Sequence, residues 1–225
     1  MKHGIRAGVV IALLAMGVPA SAATIPAGRV LEFAVLRQGS EIGTHRVEFL
    51  PDGERMQVKV AIDLAVGIGP IVLYRYVHRA TELWVDGRLQ SLEAETNDDG
   101  RKLAVRAEAA NGRIEITGSE GEVIGPPDLM PSSYWDMRLV SQAVLLDLHY
   151  GIVQPVKIRR LPAERIMAGG EEVVATPYEI DGEYAGLKAW YTADGAWVKL
   201  RFAARGAEID YVLRPPPSAF LLASP

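Results

Sequence analysis

The sequence predicts an all-β fold, β-rich with one helix: a strongly curved antiparallel meander forming a partly open barrel or half-barrel, with the helix packed on or in it. Three observations predict it. Apolar and polar residues alternate with period two through most of the chain, the pattern of strands with one buried face. Turn signals such as Pro51-Asp52-Gly53, Asn97-Asp98-Asp99-Gly100 and Asp194-Gly195 recur at roughly the spacing of short antiparallel strands. One stretch, residues 133–147, instead carries apolar side chains at helical spacing.

In chain order, residues 30–36 place Leu31, Phe33 and Val35 on one face, and Gln38-Gly39-Ser40 turns the chain into residues 42–49. Residues 56–66 alternate most cleanly, with Met56, Val58, Val60, Ile62 and Leu64 opposite Lys59 and Asp63. Gly67-Ile68-Gly69-Pro70 breaks that strand, and residues 71–84 form the next, closed by Val85-Asp86-Gly87. Strands over 89–95 and 102–109 flank the Asn97–Gly100 turn, and Asn111-Gly112 leads to 114–117. In the predicted helix, Ser132 or Ser133 caps the N-terminus and Asp136 lies in the first turn, where the helix dipole favours a negative charge. Its core stripe is Trp135, Leu139, Ala143 and Leu146. Strands return over 152–161, 172–180, 185–193, 197–204 and 208–213. Pro155 and Pro177 fall inside two of them and imply edge positions or bulges, because proline donates nothing to a ladder.

The N-terminus reads as a secretory signal peptide over residues 1–23. Lys2 and Arg6 give a positive start, residues 7–18 an apolar segment too short to span a bilayer, and Pro19-Ala20-Ser21-Ala22 a small-residue cleavage site. The organisation expected is therefore a leader over 1–23, one β-rich domain over 24–214 and a flexible proline-rich tail over 215–225, in which Phe220-Leu221-Leu222 are the apolar residues. No later segment of the mature chain is long and apolar enough to be a transmembrane helix. The expected location is the periplasm, or beyond it.

The chain has no cysteine, which excludes disulfides, thiol catalysis and cysteine-ligated metals. Its net charge is −4, and loss of Lys2 and Arg6 with the leader makes it more acidic still. That balance argues against nucleic acid as a partner.

Chemistry-bearing residues concentrate between Tyr74 and Val105. Tyr74, Tyr76, His78, Ala80 and Glu82 share one strand face, which could line a polar pocket or do acid–base work, with His78 and Glu82 as the catalytic candidates. The simpler account is a row of cross-strand partners half exposed to water. The ligand-binding set expected is Tyr74, Tyr76, His78 and Glu82, with Trp135 from the helix. On the opposite face, Arg75 and Arg79 are expected to pair with acids on the next strand, Glu93 and Glu95. Trp190-Tyr191 and Trp197 bracket a turn as cross-strand packing. The three histidines after the leader, His45, His78 and His149, form no metal-ligand pattern, and Asp98-Asp99-Gly100 reads as a hairpin turn, not a calcium loop. No nucleophile elbow, phosphate loop or dinucleotide fingerprint appears, so no metal and no cofactor is expected.

The order YRYVHRATELWVDGRL, ETNDDG, PSSYW before LLD, then WYTADGAWVKLRFAARGAEIDYVL, with IGTHRV near the start, resembles a family of secreted proteobacterial proteins of unknown function. The resemblance covers nearly the whole mature chain and implies an exported, single-domain, β-rich protein. It carries no activity, substrate or catalytic residue. The stretch LLDLHYG, with His149, departs from the more polar sequence expected there. The architecture is also loosely similar to periplasmic half-barrel carriers that shelter lipid acyl chains.

Three functions follow as expectations. The first is a periplasmic binding or chaperone-like module for a hydrophobic, lipid-like ligand. The second is an envelope hydrolase or isomerase using the Tyr/His/Glu cluster. The third is a structural or assembly factor that pairs a sheet edge with an envelope protein partner.

Overall fold

The computed structural model describes residues 25–26, 28–182 and 186–216, so the expected leader and all of the tail after residue 216 lie outside the described residues. The chain first builds a continuous meander. Its strands are β1 (Val30–Arg37), β2 (Ser40–Asp52), β3 (Arg55–Ile68), β4 (Ile71–Val85), β5 (Arg88–Asp98), β6 (Arg101–Ala110), β7 (Arg113–Gly118) and β8 (Gly121–Gly125). A small three-stranded sheet follows, made of β9 (Met130–Pro131), β10 (Val144–Leu146) and β11 (Val153–Pro155). The chain then returns through β12 (Lys157–Arg160), β13 (Glu164–Ala168), β14 (Glu171–Asp181), β15 (Leu187–Thr192), β16 (Trp197–Ala204) and β17 (Ala207–Leu213).

β17 pairs antiparallel with β1, so the first strand lies mid-sheet and fuses both meanders into one fourteen-stranded antiparallel sheet. β8 ends it on one side, and β12 and β13 on the other, so the barrel is not closed. A twisted sheet of that width curls. Its concave side carries the alternating apolar set: Phe33, Val47, Val60, Ala80, Ala94 and Val105 are all nearly inaccessible to water. Residues between β8 and β12 plug the concavity. Leu129, Trp135, Leu139 and Leu146 from that segment join one core with residues of both meanders.

The helix expected over 133–147 is far shorter. Only a five-residue 3-10 turn, Met137–Ser141, forms there. Tyr134 adopts φ 62°, a left-handed conformation that no helix starting at Ser133 tolerates. Asp136 caps the short turn instead, its Oδ1 accepting from the Arg138 amide at 2.9 Å. Val144–Leu146 are drawn into a ladder with β9 and β11. Trp135, Leu139 and Leu146 of the expected stripe are buried, carried by irregular backbone and a short strand, whereas Ala143 is exposed.

Pro155 ends β11, an edge of the small sheet. Pro177 falls where β14 changes partners, between the residues paired with β12 and those paired with β13, and its carbonyl accepts from the Leu161 amide at 2.9 Å. Arg79 of β4 finds another acid than those expected. Arg79 makes a bidentate pair with Asp63 of β3 at 2.8 and 2.9 Å, and Glu93 faces Arg106 of β6 at 3.8 Å.

Candidate functional site

The even-numbered face of β4 points into the concavity, and its residues divide between two environments. Tyr74, Tyr76 and His78 line a cavity of about 540 Å³ between the two meanders, within the range of about 300–1,000 Å³ typical of ligand sites. Glu82, four residues further along, does not line it. A strand rises about 3.3 Å per residue, so His78 and Glu82 stand about 13 Å apart, too far for direct proton exchange.

The cavity walls are apolar. Ile62, Leu64 and Val66 of β3 form one side, and Leu200 and Phe202 of β16 with Ile209 of β17 another. Polar groups gather around Tyr74. Its hydroxyl donates to Asp98 Oδ1 at 2.6 Å, which the cross-strand register of Tyr76 with Asp98 brings alongside. Arg205 reaches from the second meander to Asp98 at 3.2 Å, with its guanidinium 4.4 Å above the Tyr74 ring. Burial, and then the Asp98 carboxylate, hold the Tyr74 phenol protonated well above its ordinary value. Arg37, at the end of β1, also lines the cavity.

Deeper in, the polar groups pair with one another. His78 Nδ1 lies 2.8 Å from Thr96 Oγ1, and Tyr76 Oη lies 2.8 Å from His149 Nε2. The His78 and His149 rings stack with centroids 6.2 Å apart. Burial, and then the neighbouring His149, push His78 down to about 4, so it is neutral at neutral pH. His149 is lowered too, again chiefly by burial, against the opposing pull of Asp147 and Asp98. Asp147 holds the loop that presents His149, accepting from the amides of His149 and Tyr150 at 2.8 and 2.6 Å.

Glu82 and Trp135 belong to the core. Glu82 is inaccessible to water, and its Oε2 accepts from the indoles of Trp84 at 2.8 Å and Trp135 at 2.9 Å, fastening β4 to the plug. Its Oε1 has no hydrogen-bond partner. Burial raises its pKa, and the nearby Ser133 hydroxyl with the hydrogen bonds from Trp135 and Trp84 only partly offsets that. Trp135 packs edge-to-face on Trp84 and Phe49, each at 5.4 Å. Trp197 lies against Tyr134 and Phe33, whereas Trp190 faces the other side of the sheet and donates to Glu164 at 2.6 Å.

Sequence reasoning missed Asp98, Thr96, Arg205, Arg37 and Tyr211 as cavity or partner residues. The hairpin register could have found Asp98 and Thr96, which face β4 directly. Among the described residues, no group of three or more His, Asp or Glu side chains is placed to hold a metal ion.

A family model described as a domain of unknown function, DUF6134, matches residues 33–214, which span both meanders and the plug. No curated protein matches the chain. Among solved structures, a β-barrel-like protein of a domain of unknown function, DUF1849, from Brucella abortus is similar, with a TM-score of 0.57 at 11% identity over 82% of this chain and 93% of that one. At that identity the likeness is one of fold alone.

Proposed function

We propose that this chain, which belongs to the DUF6134 family of unknown function, is a periplasmic binding module that shelters a hydrophobic, lipid-like molecule in the concavity of its open barrel. One observation carries the reading: the cavity of about 540 Å³ with apolar walls and a polar cluster around Tyr74. An apolar tail lies against Leu64, Val66, Leu200 and Phe202, where burial removes it from water. A polar end group lies by Arg37, Arg205 and Tyr74. Neutral His78 spares a tail the cost of desolvating an imidazolium on the β4 wall. The export that the N-terminal residues suggest places such a module between two membranes.

The hydrolase or isomerase reading has less support. His78 bonds Thr96 rather than a carboxylate, and Glu82 lies outside the cavity. A binding assay tests the carrier reading. A fluorescent fatty acid is titrated into the wild type and into Leu200→Trp, which fills the cavity. Saturable binding by the wild type, weakened at least tenfold in a variant with an unchanged circular-dichroism spectrum, is expected. Equal binding by both proteins, or none by the wild type, refutes the reading.

A further inference from the structure

The hairpin joining β3 and β4 is built unlike the rest of the surface. From Leu64 to Tyr74 it reads LAVGIGPIVLY, without a charge and with the Tyr74 hydroxyl as its one polar side-chain group; Asp63 and Arg75 bracket it. Its tip is apolar and open to water: Ile68 is 73% exposed, Ile71 63%, Val72 50% and Leu73 59%. At its base, Val66 and Tyr74 line the cavity, so the tip rises directly from the site.

The geometry points to this hairpin as a membrane-docking element that inserts its tip into the outer part of a phospholipid leaflet beside the cavity. Three features select a bilayer over a protein partner or a second copy of this chain. Ile71, Val72 and Leu73 are consecutive in a strand, so their side chains leave by opposite faces, and both faces are bare. A groove or a partner strand covers one face of a ribbon, whereas a bilayer surrounds it. The backbone also suits a shallow site. The β3–β4 ladder resumes after a bulge at Val66, pairing Gly67 with Val72 and Ile68 with Ile71, so the inward peptide groups of the tip bond each other while the outward ones keep their water at the interface. The dimensions agree as well. From Tyr74 to Ile71 the strand rises about 10 Å, which matches the roughly 5–10 Å to which interfacial elements bury their apolar side chains. Tyr74 and Arg75 then fall at headgroup level, where an amphipathic ring and a long cationic side chain are both favoured.

Docking goes beyond the binding function proposed above, because the hairpin's chemistry does not depend on what fills the cavity. The test measures the two separately. Protein recovered without detergent, with its N-terminus fixed by intact mass, is floated with phosphatidylethanolamine/phosphatidylglycerol vesicles, and the same preparation is titrated with the fluorescent fatty acid. Wild type is expected to float in high salt. Ile71→Asp is expected to partition at least tenfold more weakly, with unchanged fatty-acid binding and circular dichroism. The chain lacks cysteine, so Ile68→Cys carries a single environment-sensitive dye, whose emission is expected to shift to the blue on vesicles but not on adding fatty acid alone. Equal flotation of wild type and Ile71→Asp, failure of wild type to float, or a dimer in sedimentation that Ile71→Asp abolishes would each overturn the proposal. Loss of fatty-acid binding with flotation intact would instead count against the cavity reading alone.

Discussion

His45 on β2 is 3% exposed, and neither ring nitrogen has a hydrogen-bond partner. Its ring stands 5.4 Å from both Trp197 and Tyr211 and 6.2 Å from Phe33, so His45→Phe keeps an aromatic in an aromatic cage while removing the titratable group. Burial, and then the neighbouring His78, push the folded imidazole from its ordinary 6.5 down to about 3. Between those values the unfolded chain binds a proton that the folded chain refuses. The stability tied to neutral His45 is therefore complete above the unfolded pKa and falls as pH drops towards the folded one. At about pH 5 the loss is about 1.5 units at roughly 1.4 kcal/mol each, or about 2 kcal/mol. The folded pKa lies well below pH 5, so this figure hardly depends on its exact value. His45→Phe escapes the loss. Any packing cost of the larger ring, typically about 1–3 kcal/mol, is the same at both pH values and cancels. Urea unfolding followed by tryptophan fluorescence at about pH 7.5 and about pH 5 measures the difference. The variant is expected to gain about 2 kcal/mol on the wild type between them, a midpoint shift of about 0.7 M or more. An unchanged gap would mean that His45 ionises inside the folded chain and that the inner face of β2 is wet.

Three further predictions test other parts of the fold. Gly43→Ala would place a Cβ 1.9 Å from the Asp63 carbonyl oxygen at φ 149°, so a loss of more than about 3 kcal/mol in thermal unfolding is expected, whereas Gly39→Ala, with open space around it, should cost about 1 kcal/mol. Glu82 has a raised folded pKa, so its contribution is complete below the ordinary 4.5 and is lost as pH rises through the folded value; Glu82→Gln should flatten that limb of the stability–pH curve, while Glu82→Ala, which strands two indole donors and opens a void, should cost about 3–5 kcal/mol by urea melts. Tyr191→Phe removes the hydroxyl that donates at 2.8 Å to the Tyr134 carbonyl, and chemical denaturation is expected to show a loss of about 1 kcal/mol.

The strands were legible because period-two alternation survives wherever one face is buried and the other wet, as in β3 with Val58, Val60 and Ile62 inside. The helix was misread because helical spacing in the 133–147 stretch records only which residues are buried. The left-handed Tyr134 and the pairing of Val144–Leu146 are set by the plug's surroundings. The inward row of β4 was legible as a row, but not its division. Period two cannot say where along a strand a plug arrives to bury Glu82 and where it leaves His78 beside a cavity. Arg205 meets Asp98 across 107 residues of chain, a contact that no local pattern encodes.

Native mass spectrometry, with solvent extraction, on protein recovered from the producing cells without detergent tests the central claim most directly. The account predicts a near-stoichiometric added mass that extracts into organic solvent, and its loss in Leu200→Trp. A bare protein mass that stays bare after incubation with fatty acids and phospholipid, although the fold is intact, would contradict it.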